Sequence, residues 1–116
     1  MDFTQLQKYC FGVAVDAGWW KDALPITPTT AAVKIALIHS EISEALEGVR
    51  KDTMDSHLPH RKAVEVELAD AVIRIFDLAG ALDLDLEVAI HEKLAYNNKR
   101  QDHKPDHRAA PGGKKF

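Results

Sequence analysis

The sequence predicts an all-α protein, and three features of the chain favour that class. Apolar residues recur at intervals of three and four over most of the chain, which is the period of a helix with one buried face. No stretch shows the strict alternation that is typical of a β-strand. The five prolines lie between or at the ends of the periodic stretches, where they mark turns. We expect a bundle of four to five helices whose protomers assemble through helix packing.

Composition and charge narrow the possible functions. A chain of 116 residues with 46% hydrophobic residues is long enough for one core and too short for two. The formal net charge of −3 argues against a nucleic-acid-binding surface. Cys10 is the single cysteine and has no internal disulfide partner, which is typical of a reducing compartment. Because the chain also shows no signal-peptide layout and no apolar run of about 20 residues, we expect a cytoplasmic protein with no membrane partner.

The first two predicted helices are separated by a loop that contains two prolines. The first helix covers residues 3–17 and ends at Gly18, which suits a C-terminal cap. The second covers residues 30–52, with Thr29 or Thr30 as its N-cap. Its apolar stripe consists of Ile35, Ile38, Ile42, Ala45 and Val49.

The third predicted helix covers residues 61–82 and is apolar on two sides. Asp55 or Ser56 is expected to cap it, with Pro59 near its first turn. One stripe consists of Val64, Leu68, Ala71, Ile75 and Leu82, and the other of Val66, Ala69, Ile73 and Phe76. Such a helix lies at the centre of a domain or at a subunit interface. Its remaining polar row consists of Glu67, Asp70, Arg74 and Asp77.

The fourth predicted helix covers residues 86–99, and Asp85 is expected to cap it. Its inward residues are expected to be Val88, Ile90, Leu94 and Ala95. Residues 101–116 contain two prolines, two adjacent glycines and several basic residues, which favour an extended or mobile tail. The predicted organisation is therefore one helical domain over residues 1–100 followed by a polar, basic C-terminal tail.

Two acid pairs lie in the middle of the second and third predicted helices. Glu41 and Glu44 form the first pair, and Glu67 and Asp70 form the second. Residues three apart share a helix face, so the carboxylates of each pair point the same way. A single pair is most often a solvated helix face. Both pairs border apolar residues, however, and packing of the two helices would gather four carboxylates that need a cation to neutralise them.

The ligand types indicate which cation would suit this cluster. No glutamate is followed three residues later by histidine, the spacing that di-iron bundles use. A donor set made only of carboxylate oxygens favours Mg²⁺, or Mn²⁺, over iron or zinc. Metal ions held in this way support hydrolysis at phosphorus, and for such a reaction we expect Glu41 or Glu44 to help activate the attacking water.

Other side chains have two interpretations each. Lys93, Asn97 and Arg100 lie at the end of the fourth predicted helix. The basic residues Lys93 and Arg100 either complement the helix dipole or bind a phosphate, and in the second case Asn97 contacts a sugar hydroxyl or a phosphate. Arg74 lies one turn beyond the second acid pair and is either their counter-ion or a phosphate ligand. Trp20 is either a buried anchor for its loop or a stacking partner for a base.

Three segments together resemble the MazG-like nucleotide pyrophosphohydrolases, a superfamily of all-α NTP pyrophosphatases. They read HSEISEALEG, then EVELADAVIRIFDLAGALDLDLEVA, then HEKLAYNNKR. The family hallmark is Glu-x-x-Glu followed by Glu-x-x-Asp on the next long helix, and the match covers roughly residues 30–100. The two acid pairs followed by Lys-x-x-x-Asn-x-x-Arg form a fairly specific combination.

The resemblance implies a function and a set of site residues. Glu41, Glu44, Glu67 and Asp70 would bind Mg²⁺, whereas Lys93, Asn97 and Arg100 would contact a nucleotide substrate. Family members cleave nucleoside triphosphates to a monophosphate and pyrophosphate, a housecleaning of the nucleotide pool, and assemble as homodimers or homotetramers. Two alternatives remain open. The first is a phosphoribosyl-ATP or dUTP pyrophosphatase of the same superfamily, and the second is a helical interaction module without catalysis.

Overall fold

The computed structural model describes residues 1–116 and contains helices and no strands, which confirms the predicted all-α class. Its helices are α1 (Phe3–Asp16), α2 (Pro28–Lys51), α3 (Ala63–Ala81), α4 (Leu86–Lys99) and α5 (Pro105–Ala109), with a 3₁₀ turn at Gln101–His103. The chain divides into two compact units, Met1–Leu84 and Asp85–Phe116, and each is described by itself. None of the helices combines the length and apolar character that a membrane span requires.

The helix starts follow from local hydrogen bonding. Asp2 caps α1, and its side chain and that of Gln5 satisfy each other's backbone N–H groups. α2 begins earlier than predicted because Thr27, and not Thr29 or Thr30, is its N-cap. The Thr27 Oγ1 accepts the Thr30 N–H at 3.2 Å, and Pro28 occupies the first helical position, where its missing N–H costs nothing.

The predicted cap of α3 was wrong. Lys62 precedes the first turn and makes no side-chain cap bond. Asp55 is buried and instead closes the connection between α2 and α3, since its Oδ2 accepts the backbone N–H groups of His57 and Leu58 at 2.9 and 2.7 Å. The short Asp55 side chain accepts hydrogen bonds from the nearest backbone N–H groups, and here those groups belong to a turn and not to the first turn of a helix.

α3 is the central helix of the first unit, one of the two positions predicted for it, and it packs against both α1 and α2. Of its two predicted apolar stripes only Ala71 and Phe76 are buried, whereas the exposed members include Leu68, Ile73, Ile75 and Leu82. Against α1, the rings of Phe3 and Phe76 meet edge to face with centroids 4.8 Å apart. A Cβ at Gly80 would lie only 2.5 Å from the Phe11 Cβ, so the glycine permits the close approach of the two helices.

The predicted apolar stripe of α2 is not its buried face, and that expectation was wrong. Ala45 is buried, but Ile35, Ile42 and Val49 are exposed. The face towards α3 instead carries Glu41, Ala45 and Gly48. A Cβ at Gly48 would lie 3.0 Å from the backbone nitrogen of Val64, so the small residues allow the two helices to pack closely. Glu41 lies on the same helix face and is therefore buried with them.

The second unit begins at the predicted Asp85 cap, whose carboxylate accepts the Val88 N–H at 3.3 Å. α4 ends at Lys99 as predicted, but it has no buried residue. The expectation that Val88, Ile90, Leu94 and Ala95 point inward was therefore wrong. The segment after Arg100 contains the 3₁₀ turn and α5, where the sequence favoured an extended tail.

Candidate metal centre and adjoining cavity

The packing of α2 on α3 brings the two acid pairs together. Carboxylate oxygens of Glu41, Glu67 and Asp70 all lie within 4.8 Å of one another. Glu41 reaches this point because its helix face is the one that packs closely on α3. Three of the four carboxylates that the sequence predicts as metal ligands therefore form a cluster.

Glu44, the fourth predicted ligand, lies at the edge of the cluster. It is exposed one turn after Glu41, and its oxygens do not belong to the group within 4.8 Å. Its carboxylate is nevertheless near enough to Glu67 to raise the pKa of that group through hydrogen bonding and charge repulsion. Glu44 thus faces both the cluster and the solvent.

Glu67 shows the electrostatic cost of the cluster most directly. Burial raises the pKa of its carboxyl group to about 7, with further increases from hydrogen bonds to Glu41 and Glu44 and from their charges. Two carboxyl groups can share a hydrogen bond only when one of them is protonated. When none of them holds a proton, the buried Oε2 of Glu67 has no hydrogen-bond partner. That atom requires a proton or a cation.

Asp70 is affected in the same direction. Burial is the largest cause that raises the pKa of its carboxyl group, followed by the charge of Glu41, and the Arg74 guanidinium opposes both. The Arg74 Nε donates a hydrogen bond to the Glu41 Oε1 at 2.9 Å, with the arginine side chain partly exposed. Arg74 is thus a counter-ion of the acid cluster in this structure, which is the first of its two predicted roles.

A cavity of about 520 Å³ adjoins the cluster within the first unit. Its polar lining residues are Lys34, Glu41, Asp70, Arg74 and Asp77. Its apolar lining residues are Cys10, Val13, Ala14, Ala17, Trp19, Leu37 and Ile73. Burial raises the pKa of the Cys10 thiol, so the neutral form lines the cavity. A volume of this size lies within the range of roughly 300–1,000 Å³ that is usual for small-molecule sites.

The two tryptophans have different positions. Trp20 is 2% exposed, and its Nε1 donates a hydrogen bond to the Asp77 Oδ1 at 2.8 Å. The ammonium of Lys34 lies 4.5 Å from the centroid of the Trp20 ring, in cation–π contact. Trp19 is 72% exposed and lines the cavity. The structure thus gives Trp20 the anchoring position of its two interpretations and places Trp19 at the surface of the cavity.

Lys93, Asn97 and Arg100 all lie in the second unit. The Arg100 guanidinium binds Asp102 through two hydrogen bonds, of which the Nε–Oδ1 bond measures 2.9 Å, and its Nη1 donates to the Asn97 Oδ1 at 3.3 Å. The Arg100 hydrogen bonds lower the pKa of the Asp102 carboxyl group to about 2. Lys93 lies over the Tyr96 ring. The role of Lys93, Asn97 and Arg100 in substrate binding stays a prediction.

The network of Trp20, Lys34 and Asp77 was not predicted as a unit. The sequence places Asp77 in the polar row of α3 and Lys34 two turns before Glu41, but no spacing rule relates either residue to Trp20. The signal available was an acidic residue in a helix that is otherwise apolar, because such residues are seldom buried without a partner.

No family model, curated protein or solved structure matches this chain. The resemblance to the MazG-like pyrophosphohydrolases thus continues to rest on the motif residues alone.

Proposed function

We propose that this protein hydrolyses nucleoside triphosphates, with Mg²⁺ as cofactor, to a nucleoside monophosphate and pyrophosphate. The observation that carries the proposal is the acid cluster of Glu41, Glu67 and Asp70, in which the Glu67 Oε2 is buried and has no partner. Three carboxylates within 4.8 Å of one another repel each other, and a bound cation would remove that repulsion and stabilise the fold.

The donor set suits a hard divalent cation. All of the donors are carboxylate oxygens, which favour Mg²⁺ or Mn²⁺, and no histidine or cysteine belongs to the cluster. Glu41, Glu67 and Asp70 would hold the ion, with Glu44 available at the exposed edge. A bound ion supplies positive charge for the phosphate oxygens of the substrate, which the acid cluster alone would repel.

The proposed reaction also needs a base that activates the attacking water. Glu44 is the better placed of the two candidate bases, because Glu41 already accepts a hydrogen bond from Arg74. In the proposed step Glu44 accepts a proton from water, the water oxygen bonds to the α-phosphorus, and the bond from that phosphorus to the bridging oxygen breaks. The electron pair of that bond leaves with pyrophosphate.

A substrate panel tests this proposal. The purified protein is incubated with the common ribo- and deoxyribonucleoside triphosphates and Mg²⁺, and pyrophosphate and monophosphate are quantified. We expect turnover that a chelator abolishes and that Glu67→Gln or Asp70→Asn lowers by about 100-fold or more. Glu65→Gln is the matched control, because Glu65 is exposed on the same helix and pairs with Arg61 outside the cluster. No turnover on any nucleotide, or equal turnover in the cluster variants, contradicts the proposal.

The same assay with phosphoribosyl-ATP and dUTP added, together with calorimetry of Mg²⁺ binding, separates the two alternatives. Turnover confined to phosphoribosyl-ATP or to dUTP would assign the narrower activity. A helical interaction module without catalysis would show no turnover and no binding of Mg²⁺. The unpartnered Glu67 Oε2 favours a cation-binding protein over such a module.

We further infer that two copies of the chain associate through α2 and α3. An exposed apolar stripe runs along α2 and consists of Ile35, Ile42, Leu46 and Val49. A second exposed stripe, on α3, consists of Leu68, Val72 and Ile75. Apolar stripes of this length on adjacent helices are typical of an interface, and a second copy would match them with the same stripes.

Sedimentation or light scattering tests the association. We expect the wild-type chain to be a dimer or tetramer at micromolar concentration and Leu46→Glu to shift it to the monomer. Leu94→Glu is the control, because Leu94 is equally exposed but lies on α4. A monomeric wild-type chain would exclude this interface.

A further inference from the structure

The cavity beside the acid cluster extends over α1, where no predicted metal ligand lies. Its apolar wall combines Cys10, Val13 and Ala14 of α1, and Ala17 directly after that helix, with Leu37 of α2 and Ile73 of α3. A phosphate or a sugar would bind weakly to such a wall, because its polar groups would lose their hydrogen bonds to water and form none with the protein. The flat, apolar face of an aromatic ring would bind favourably to this wall, because the contact removes apolar surface from water.

The cavity lining also contains a hydrogen-bond donor and an acceptor, Lys34 and Asp77, and both contact Trp20. Asp77 uses its Oδ1 to accept the Trp20 Nε1–H, which leaves Oδ2 as an acceptor. Lys34 presents its ammonium group as the donor, fixed against the buried Trp20 ring at 4.5 Å. A cavity that combines an apolar lining with a donor and an acceptor matches an aromatic heterocycle.

Charge in this part of the cavity favours a neutral ligand group. Burial raises the pKa of the Asp77 carboxyl group, while the Trp20 hydrogen bond and the charges of Lys34 and Arg74 oppose that shift. Lys34 and Arg74 thus offset the charge of the Asp77 carboxylate only in part, so a second anion placed beside Asp77 would not be compensated. A phosphate belongs on the metal side of the site, next to Glu41 and Asp70, and an uncharged ring belongs on the α1 side.

We propose that this cavity binds the heteroaromatic base of the nucleotide, with its faces against the apolar wall and its polar edge hydrogen-bonded to Lys34 and Asp77. Trp20 acts as a positioning residue that holds both side chains, and Trp19 flanks the opening. The assignment rests on the proposed nucleotide hydrolysis, which it extends to the part of the substrate that the acid cluster does not contact.

Saturation-transfer NMR with nucleosides tests the base site without metal and without turnover. The probes are uridine, thymidine, cytidine, adenosine and guanosine, compared with ribose 5-phosphate and inorganic triphosphate. We expect at least one nucleoside to bind, with stronger transfer to its base protons than to its ribose protons. Binding by ribose 5-phosphate or triphosphate alone, or transfer strongest at the ribose, overturns the base site.

Two variants connect the binding to this cavity. Lys34→Met removes the donor but keeps the length of the side chain, and we expect about 10-fold weaker nucleoside binding. Lys51→Met is its control, because Lys51 is exposed and pairs with Glu47. Ala14→Leu fills the apolar wall and is expected to abolish binding, whereas Ala36→Leu on the exposed side of α2 leaves it unchanged.

Circular dichroism of each variant establishes that it is folded, so that a loss of binding reports on the site. Unchanged nucleoside affinity in both folded cavity variants contradicts the proposal. The outcome is separable from that of the hydrolysis assay. Turnover of triphosphates without nucleoside binding would remove the base site and leave the hydrolysis, whereas nucleoside binding without pyrophosphate release would do the reverse.

Discussion

Each compact unit contains an arginine that binds a carboxylate, and the two pairs differ in their surroundings. In the first unit Arg74 binds Glu41, which belongs to a group of crowded carboxylates. In the second unit Arg100 binds Asp102, with Lys114 as a further cation at 3.6 Å. The pKa of Glu67 is raised to about 7, whereas that of Asp102 is lowered to about 2.

The difference separates a structural ion pair from a site that lacks a charge. Around Asp102 the cations match the carboxylate, so the group needs nothing further. Around Glu67 the carboxylates outnumber the single arginine, and one buried oxygen has no partner. A shortage of cations in a partly buried cluster is what binding of a metal ion corrects.

The largest expected effect comes from neutralising Glu67. Its folded pKa of about 7 lies above the unfolded value of 4.5. The stability from its protonated form is therefore fully present below 4.5 and is lost as the pH rises through 7. Without divalent cations, we expect Glu67→Gln to raise the melting temperature by a few degrees at about pH 8 and to change it little at about pH 4.

Thermal unfolding followed by circular dichroism over that pH range measures this effect. Glu65→Gln serves as the control, since Glu65 lies outside the cluster on the same helix. Parallel pH profiles for the wild type and Glu67→Gln would mean that the cluster carries no excess negative charge.

A smaller effect of opposite sign is expected from Arg74. Arg74→Gln removes the cation that binds Glu41 and leaves the carboxylates less compensated. Because the arginine is partly exposed, we expect a loss of only about 0.5–1 kcal/mol in the free energy of unfolding without metal. Arg74→Lys keeps the charge and should recover part of the loss in urea titrations. Greater stability of Arg74→Gln would show that the arginine is not a counter-ion.

The smallest effect is expected in the second unit. The stability that Asp102 provides is present above the unfolded pKa of 3.8 and is lost only as the pH falls through about 2. Asp102→Asn should therefore change the melting temperature at neutral pH less than Glu67→Gln does, with no dependence on Mg²⁺. A larger shift, or one that Mg²⁺ reverses, would contradict the distinction between the two arginine pairs.

The sequence predicted the parts of this molecule that depend on local spacing. The four main helices, the Asp85 cap and the shared direction of Glu67 and Asp70 all follow from periodicity or from a few adjacent residues. The central position of α3 is one of the two positions that a helix with two apolar sides predicts. These features require no knowledge of what packs against them.

The features that were missed depend on contacts between elements. The buried face of α2 could not be read from hydrophobicity, because small residues beside Glu41 allow closer packing than the larger apolar stripe. The contacts of Trp20 with Asp77 and Lys34 join residues from three different parts of the chain. The predicted inward face of α4 failed for the same reason, since an apolar pattern does not identify its partner.

Titration calorimetry of the metal-free protein with Mg²⁺ tests the central claim most directly. At about pH 7.5, close to the raised pKa of Glu67, we expect saturable binding that releases protons from that carboxyl group. Glu67→Gln should weaken this binding by about 10-fold or more, whereas Glu65→Gln should leave it unchanged. Absence of binding, or equal binding in wild type and Glu67→Gln, would contradict a metal centre built on the two acid pairs.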